Sequence, residues 1–206
     1  CPSDIDVSAT TTDCNQVVSW IAPVMSDVHD NCEVASLSDV IISDPKVTVN
    51  IIINGNGDPQ VIAEFPVGTT EVKYTATDIH GNSTDCIFNV SVNDVVAPLI
   101  LCPTDQIMNV DVNCNADETF VLDYTGSAQV ADNCNDPVVT QVPAPGTLVS
   151  TVLGADPVDG SSFVVTLTAT DIGGNTADCT FNVTINDNAG PYIVCPGDQV
   201  AYTSTG

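Results

Sequence analysis

Apolar and polar residues alternate along two neighbouring segments in the first half of the chain. In residues 70–78 (TEVKYTATD) and 86–94 (CIFNVSVND), every second side chain is apolar. The apolar positions are Val72, Tyr74, Ala76, Phe88, Val90 and Val92. A period of two predicts half-buried antiparallel strands. No run of ten or more residues has a helical period, so the chain is predicted to be all-β.

The same pattern is written a second time further along the chain. Residues 75–94 (TATDIHGNSTDCIFNVSVND) and 168–187 (TATDIGGNTADCTFNVTIND) are identical at 14 of 20 positions. The sequences that follow, APLILCPTDQI and GPYIVCPGDQV, also match and resemble the opening CPSDIDV. A fixed period of this kind indicates tandem structural repeats. We therefore predict domains at 1–96 and 97–189, with 190–206 as the first strand of a third repeat.

Each repeat has the size of a small β-sandwich. About 90–100 residues with about seven short strands, punctuated by Pro and Gly, predict tandem immunoglobulin-like β-sandwich domains. The Cys…Trp…Cys spacing of antibody domains is absent, and Trp20 is expected in the core of the first repeat.

The charge and the cysteine content indicate the cellular compartment of these domains and the classes of partner they exclude. The chain has a net charge of −25, two lysines and no arginine, and its acidic residues are almost all aspartate. Such a surface repels nucleic acid and anionic lipid and attracts cations. No apolar run approaches the roughly 20 residues of a spanning helix. Nine cysteines without a C-x-x-C pair indicate disulfides in an oxidising, extracytoplasmic compartment. Any export signal is expected outside this sequence.

The cysteines follow the repeat. They form two sets of four and the first member of a third set: Cys1, Cys14, Cys32, Cys86; Cys102, Cys114, Cys134, Cys179; and Cys195. The chain is accordingly interpreted as a segment of a longer array. Four cysteines allow three pairings in each repeat, and the sequence does not choose among them. A first strand that runs parallel to the last favours Cys1–Cys86 with Cys14–Cys32, and correspondingly Cys102–Cys179 with Cys114–Cys134.

These motifs resemble the hyalin repeat (HYR) family. The resemblance rests on CPSDI, CNQVVSW-x-AP, DNC and above all FPVGTTEVKYTATDIHGN, all of which the first repeat carries. The second repeat keeps TLTATDIGGN and CTFNVTIND but has GSSFVVT in place of FPVGTT. The resemblance implies an extracellular immunoglobulin-like module used in tandem for adhesion, without catalytic activity.

The repeated turn, DIHGN at 78–82 and DIGGN at 171–175, has two interpretations. Asp, Asn and Gly are the residues of a tight local turn. They are also oxygen donors for calcium, which takes six to eight oxygens. In a sandwich this turn lies at the same end as the loop after the second strand, and the preceding repeat ends there at Asp94. The predicted calcium ligands are Asp27, Asp30, Asn31, Asp78, Asn82, Asp94, Asp132, Asn133, Asp171 and Asn175. Of these, Asp94, Asp132, Asn133, Asp171 and Asn175 are expected to converge between consecutive repeats.

Other functional motifs are weak. His29 and His80 are replaced by Ala131 and Gly173 in the second repeat, so we interpret them as loop residues. No nucleophile elbow, zinc-protease motif or phosphate-binding loop occurs. Asn89 and Asn182 occupy equivalent N-x-S/T sequons and are candidate glycosylation sites if the source is a eukaryote.

The sequence thus predicts a structural and adhesive segment of an extracellular or cell-surface repeat protein, a spacer or filament stiffened by calcium and disulfides. Its predicted partners are neighbouring repeats and a surface polysaccharide or another adhesive ligand. Self-assembly through the strand 192–200 is a further option. The alternative is a carbohydrate-binding module of a secreted enzyme, which would need an exposed aromatic platform.

Overall fold

The computed structural model describes residues 1–9, 14–31, 33–110, 119–187 and 197. The chain divides into two compact units. The first comprises Cys1–Leu101, Gln129–Thr140 and Thr168–Asp178, and the second comprises the described parts of 102–128, 141–167 and 179–206. The domain boundaries predicted from the sequence repeat stay predictions. Among the described residues, no helix is long and apolar enough to cross a membrane.

The first repeat is a two-sheet sandwich of eight strands. They are β1 (Ile5–Ala9), β2 (Asn15–Ile21), β3 (Val34–Leu37), β4 (Ile41–Ile42), β5 (Thr48–Ile53), β6 (Pro59–Pro66), β7 (Gly68–Asp78) and β8 (Ser83–Asp94), with a 3-10 turn at Met25–Asp27. One sheet has the order β1-β8-β7-β3, with β4 also on β7, and the other has the order β2-β6-β5. The immunoglobulin-like all-β fold is confirmed.

The core of this sandwich forms where the predicted inward faces meet. Phe65 from one sheet and Phe88, Val72 and Val90 from the other are at most 1% exposed. Trp20 is buried as expected, and its indole Nε1 donates a 2.8 Å hydrogen bond to the Tyr74 hydroxyl. The largest aromatic side chain of the core is therefore both packed and hydrogen-bonded.

The later strands build a second set of sheets. They are β9 (Leu99–Leu101), β10 (Gln106–Val110), β11 (Gln129–Ala131), β12 (Val138–Val142), β13 (Ser162–Thr170) and β14 (Thr176–Asp187), with one short helix, α1 (Val149–Leu153), and a 3-10 turn at Thr125–Ser127. One sheet has the order β10-β14-β13-β12, and β9 pairs antiparallel with β11. Val165, Leu167 and Val183 are fully buried along the alternating face of β13 and β14.

The first strand of each repeat runs parallel to the last, as predicted. β1 pairs with β8 from Ile5↔Val90 onward, and β10 pairs with β14 from Gln106↔Val183 onward. This pairing places Cys1 at Cys86 and Cys102 at Cys179, and both disulfides are formed. Two of the four expected cystines are thus confirmed.

The described segments next to Cys14 and to Cys32 lie at opposite ends of β7. The Cys14 carbonyl accepts from Val67 N at 2.9 Å, just before β7, whereas Glu33, the residue after Cys32, accepts from Ile79 N at 3.3 Å, just after β7. The 11 residues of β7 span roughly 33 Å at about 3.3 Å per residue. A disulfide requires Cα atoms no more than about 7 Å apart. Cys14 is a free thiol in this structure, and the Cys14–Cys32 pairing stays a prediction. Cys32 and Cys114 themselves lie outside the described residues.

Candidate metal site at the end of β8

Both repeated turns are closed by hydrogen bonds between their own aspartate and asparagine. Asp78 Oδ1 accepts from the backbone N of His80 and of Asn82 at 2.8 Å, and its Oδ2 accepts from Asn82 Nδ2 at 2.7 Å. Asp171 repeats this arrangement with Asn175, at 2.8 Å to the backbone N and 2.9 Å to Nδ2. The Asn82 amide and these backbone donors lower the pKa of Asp78. The local-turn interpretation therefore explains why Asp and Asn recur at these positions.

The fourth residue of each turn must be glycine. Gly81 and Gly174 have φ values of +89° and +85°. Side chains with a Cβ rarely adopt this left-handed region, and glycine does so without steric cost.

The second turn makes contacts that the first turn does not show. Asn175 Nδ2 donates to the Asp94 carbonyl at 3.1 Å and to the Val96 carbonyl at 3.4 Å. Gly173 lies so close to the end of β8 that a Cβ there would be 2.6 Å from the Asp94 carbonyl oxygen. The first turn carries His80 at this position, and its side chain is exposed. The second turn is thus shaped to receive the end of β8, within the first compact unit.

Two buried carboxylate oxygens at this contact have no hydrogen-bond partner. Asp94 is 5% exposed, and its Oδ1 accepts from Val96 N at 3.1 Å while its Oδ2 is unpaired. Asp132 Oδ2 accepts from Cys134 N at 2.8 Å, and its Oδ1 is unpaired. One ligand atom from each of Asp94, Asp132 and Cys134 falls within 4.8 Å of the other two. Unpaired buried carboxylate oxygens are costly, so this arrangement calls for a cation or a bound water.

Burial raises the pKa of the Cys134 thiol, and the neighbouring Cys14 thiol and Asp94 carboxylate raise it further. Cys134 is therefore a neutral thiol at physiological pH. Asn133 Nδ2 also donates to its sulfur at 3.0 Å. The thiolate, not the thiol, is the metal ligand, so unless a soft metal deprotonates Cys134 the ligands of this cluster are the carboxylates.

The structure brings together the side chains that the sequence expected between consecutive repeats. Asp94, Asp132 and Asn133 gather here, and Asp171 joins them through the Asn175 amide. Their role as calcium ligands stays a prediction.

The predicted ligands at the other end of the first sandwich are arranged differently. Asp30, Asp78 and Asn82 line one open groove with His29. Asp27 Oδ2 instead accepts from Val24 N at 2.9 Å and so caps the short 3-10 turn. Among the His, Cys, Asp and Glu side chains of the described ranges, Asp94, Asp132 and Cys134 form the one group of three close ligand atoms, and Asp27, Asp30 and Asp78 are not part of it.

The two sequon asparagines have partners immediately before the first strand of their repeats. Asn89 N donates to Asp4 Oδ1 at 2.7 Å, and Asn182 N donates to Asp105 Oδ1 at 2.8 Å. The aspartate of each CPSD or CPTD motif thus pins the parallel strand pair, a role that sequence analysis missed although the motif itself repeats. Glycosylation at Asn89 and Asn182 stays a prediction.

Cys14 is the second contributor that sequence analysis missed. It lies 119 residues before Asn133, and its thiol donates to the Asn133 carbonyl at 2.6 Å. Only the folded chain reveals this contact, because no sequence motif connects the two segments.

Sandwiches of this kind, each stapled by a disulfide between its first and last strands, define an extracellular immunoglobulin-like module. Residues 1–92 match the HYR domain family. The chain is 33% identical over 148 residues to hyalin of Strongylocentrotus purpuratus, covering 68% of this chain and 11% of hyalin. It is 27% identical over 189 residues to the mouse Sushi, von Willebrand factor type A, EGF and pentraxin domain-containing protein 1, covering 90% of this chain and 4% of that protein. The first repeat, residues 1–92, belongs to the HYR domain family, and the chain is an extracellular or cell-surface module.

The protocadherin gamma C5 EC1-3 structure matches with a TM-score of 0.37 and 14% identity, covering 88% of this chain and 65% of that one. This score is too low to support an argument. The chain spans about a tenth or less of the curated relatives it matches. Family and relatives point to a non-enzymatic, adhesion-type repeat.

Proposed function

We propose that the chain is a stiff spacer and adhesive segment of a tandem repeat protein, and that calcium at Asp94 and Asp132 stiffens it. Consecutive repeats would act as neighbouring partners, and an adhesive ligand such as a surface polysaccharide would bind along the array. The observation that supports calcium is the unpaired Oδ2 of Asp94, in a side chain that is only 5% exposed.

The donor set suits a hard cation. Two aspartates each have an oxygen without a protein donor, and one carboxylate oxygen of Asp94 lies within 4.8 Å of one of Asp132. Calcium is bound by carboxylates, carbonyls and waters. An ion there would cancel the repulsion between two buried negative charges and fix the end of β8 against the loop at residue 132. The residues that would hold it are on two separate segments, and stiffness would follow from that connection.

Asp171 and Asn175 support this site, but neither carboxylate oxygen of Asp171 is free to bind an ion. Both carboxylate oxygens of Asp171 accept from Asn175, and Asn175 in turn donates to the Asp94 carbonyl. The turn thus holds Asp94 in place. An ion bound directly by Asp171 would have to replace these hydrogen bonds.

Thermal unfolding with and without calcium tests the proposal. Ligand binding to the folded state stabilises it by RT ln(1 + [L]/Kd), about 2.7 kcal/mol at a concentration 100 times Kd. A midpoint several degrees higher in millimolar calcium than in excess chelator is expected. Asp94→Asn and Asp132→Asn should each abolish this difference, because an amide keeps the shape and removes the charge.

Asp30→Asn is the matched control. Asp30 is the counterpart of Asp132 in the first repeat and is outside the three-residue cluster. This variant should keep the full calcium response. If wild type showed no response, the calcium proposal would fail. If Asp30→Asn abolished the response and Asp132→Asn did not, the ion would lie at the other end of the sandwich.

The structure offers no comparable support for the carbohydrate-binding alternative. Such modules need an exposed aromatic platform, whereas Trp20 and Tyr74 are buried. Of the aromatic side chains in the described part of the chain, only Phe120 is exposed, at 48%. A single ring does not make a platform.

A further inference from the structure

Two cysteine thiols from distant parts of the sequence meet beside the candidate metal site. Cys14 Sγ donates to the Asn133 carbonyl at 2.6 Å, and Cys134 is the next residue. Both cysteines are free thiols and half-buried, and the Cys14 thiol is close enough to Cys134 to raise the pKa of its thiol. We propose that Cys14 and Cys134 form a disulfide that links the second cysteine of one repeat to the third cysteine of the next.

The backbones on both sides are held in place. The Cys14 carbonyl accepts from Val67 N at 2.9 Å, at the start of β7. Cys134 N donates to Asp132 Oδ2 at 2.8 Å. The two thiols are therefore carried next to each other by segments whose backbones are hydrogen-bonded.

Alternative partners for Cys14 in its own repeat are used up or too far away. Cys1 and Cys86 are bonded to each other. Glu33, one residue after Cys32, lies beyond the far end of β7 from Cys14. In an oxidising compartment two adjacent thiols convert to a disulfide unless a metal or a strained geometry prevents it.

The repeat extends this pairing along the array. Cys114 is equivalent to Cys14, and Cys32 is equivalent to Cys134. Cys114 would therefore bond to the third cysteine of a following repeat, and Cys32 to the second cysteine of a preceding one. Each repeat would contain one internal disulfide and share one with each neighbour, so the array would be covalently cross-linked in addition to its continuous backbone.

The reaction is a two-electron oxidation by thiol–disulfide exchange. One cysteine thiolate attacks an exogenous disulfide and releases one thiol. The second cysteine then attacks the mixed disulfide and releases the other thiol. The two cysteines lose two electrons and two protons, and the oxidant, a low-molecular-weight disulfide or a disulfide-carrying oxidase, is reduced to two thiols.

Peptide mapping tests the pairing on the monomeric chain after oxidation with glutathione disulfide and alkylation of the remaining thiols at acidic pH. Cleavage on the amino side of aspartate places every cysteine in a different peptide, because an aspartate separates each pair of successive cysteines. The expected result is a linked species of peptides 13–26 and 132–135, two hydrogens lighter than their sum, and alkylated Cys32 and Cys114. Linkage of 13–26 to 30–38 would overturn the proposal, and so would alkylation of both Cys14 and Cys134.

Cys14→Ser provides the matched variant. It should leave Cys134 fully alkylated while Cys1–Cys86 and Cys102–Cys179 remain intact, which also shows that the chain has folded. Cys32→Ser should leave the 13–26 to 132–135 linkage unchanged. If Cys134 stayed protected from alkylation in Cys14→Ser, another residue would be its partner and the proposal would be wrong. These results do not depend on calcium, so they separate this proposal from the previous one.

Discussion

Replacing Gly173 by alanine tests whether the second turn is docked on the end of β8. A Cβ at this position would lie 2.6 Å from the Asp94 carbonyl oxygen and 2.9 Å from Asp94 Cβ. Both contacts are closer than atoms tolerate, and the carbonyl oxygen belongs to the backbone of a strand end. The turn must therefore move away from β8, and the two hydrogen bonds from Asn175 to the Asp94 and Val96 carbonyls would lengthen or break.

The expected cost follows from these contacts. Inserting a methyl group into a packed contact costs about 1–3 kcal/mol, and each lost hydrogen bond contributes about 0.5–1.5 kcal/mol. Alanine offsets part of this by restricting the unfolded chain, by about 0.4–1 kcal/mol. A net loss of about 2 kcal/mol is expected, which lowers the unfolding midpoint of a chain of this size by about 4–8 °C.

Urea and thermal unfolding measure this loss, with His80→Ala as the matched control. His80 occupies the same position in the first turn and is exposed, so its replacement should change stability by less than about 0.5 kcal/mol. A Gly173→Ala chain as stable as wild type would show that the turn is not held against β8. In that case the side chains assigned to the metal cluster would not be held together either.

Two further predictions concern side chains within the first sandwich. Tyr74→Phe removes the acceptor of the 2.8 Å hydrogen bond from Trp20 Nε1 and leaves a buried N–H unpaired, so the free energy of unfolding in urea should fall by about 1–3 kcal/mol. Tyr124→Phe is the control, because no hydrogen bond of the Tyr124 hydroxyl is found among the described residues. Equal losses in the two variants would contradict the role of the Trp20–Tyr74 bond. The pKa of Asp78 is held below its ordinary value first by the Asn82 amide, so its contribution to stability is complete above the unfolded pKa of about 3.9 and disappears as pH falls through the lower folded value. A carboxyl titration by NMR should show this lowered midpoint, and Asn82→Ala should raise it; an unchanged midpoint would refute the stated cause.

Most of the fold could be predicted because it follows from local patterns. The alternation in 70–78 and 86–94 gives the two long central strands, and the buried faces are those expected from Val72, Phe88 and Val90. The buried face of such a strand can be predicted from the alternation of apolar and polar residues alone, without knowledge of distant contacts. The parallel pairing of first and last strands was also predictable, because it is a common feature of such sandwiches and explains Cys1–Cys86.

The candidate site could be predicted only in part. The side chains around Asp94 were expected to converge because strand polarity determines which loops share an end of a sandwich. The sequence could not show that Asp171 and Asn175 satisfy each other, whereas Asp94 and Asp132 keep unpaired oxygens. That difference depends on side-chain distances of a few tenths of an ångström. It separates residues that shape a turn from residues that could hold an ion, although both sets consist of Asp and Asn.

The cysteines show that disulfide partners need not belong to the same sequence repeat. Pairing Cys14 with Cys32 assumed that four cysteines of one repeat bond among themselves, yet the length of β7 keeps the two loops apart. The contact between Cys14 and the Cys134 segment suggests a bond between successive repeats instead.

A disulfide between Cys14 and Cys134 would also affect the metal site. A reduced Cys134 adds a soft sulfur donor to two carboxylates, a mixed set that suits zinc as well as calcium. A disulfide cannot ionise to a thiolate, so only the hard oxygens of Asp94 and Asp132 remain as strong ligands. Oxidation would therefore favour calcium, and the calcium measurement belongs on the oxidised chain.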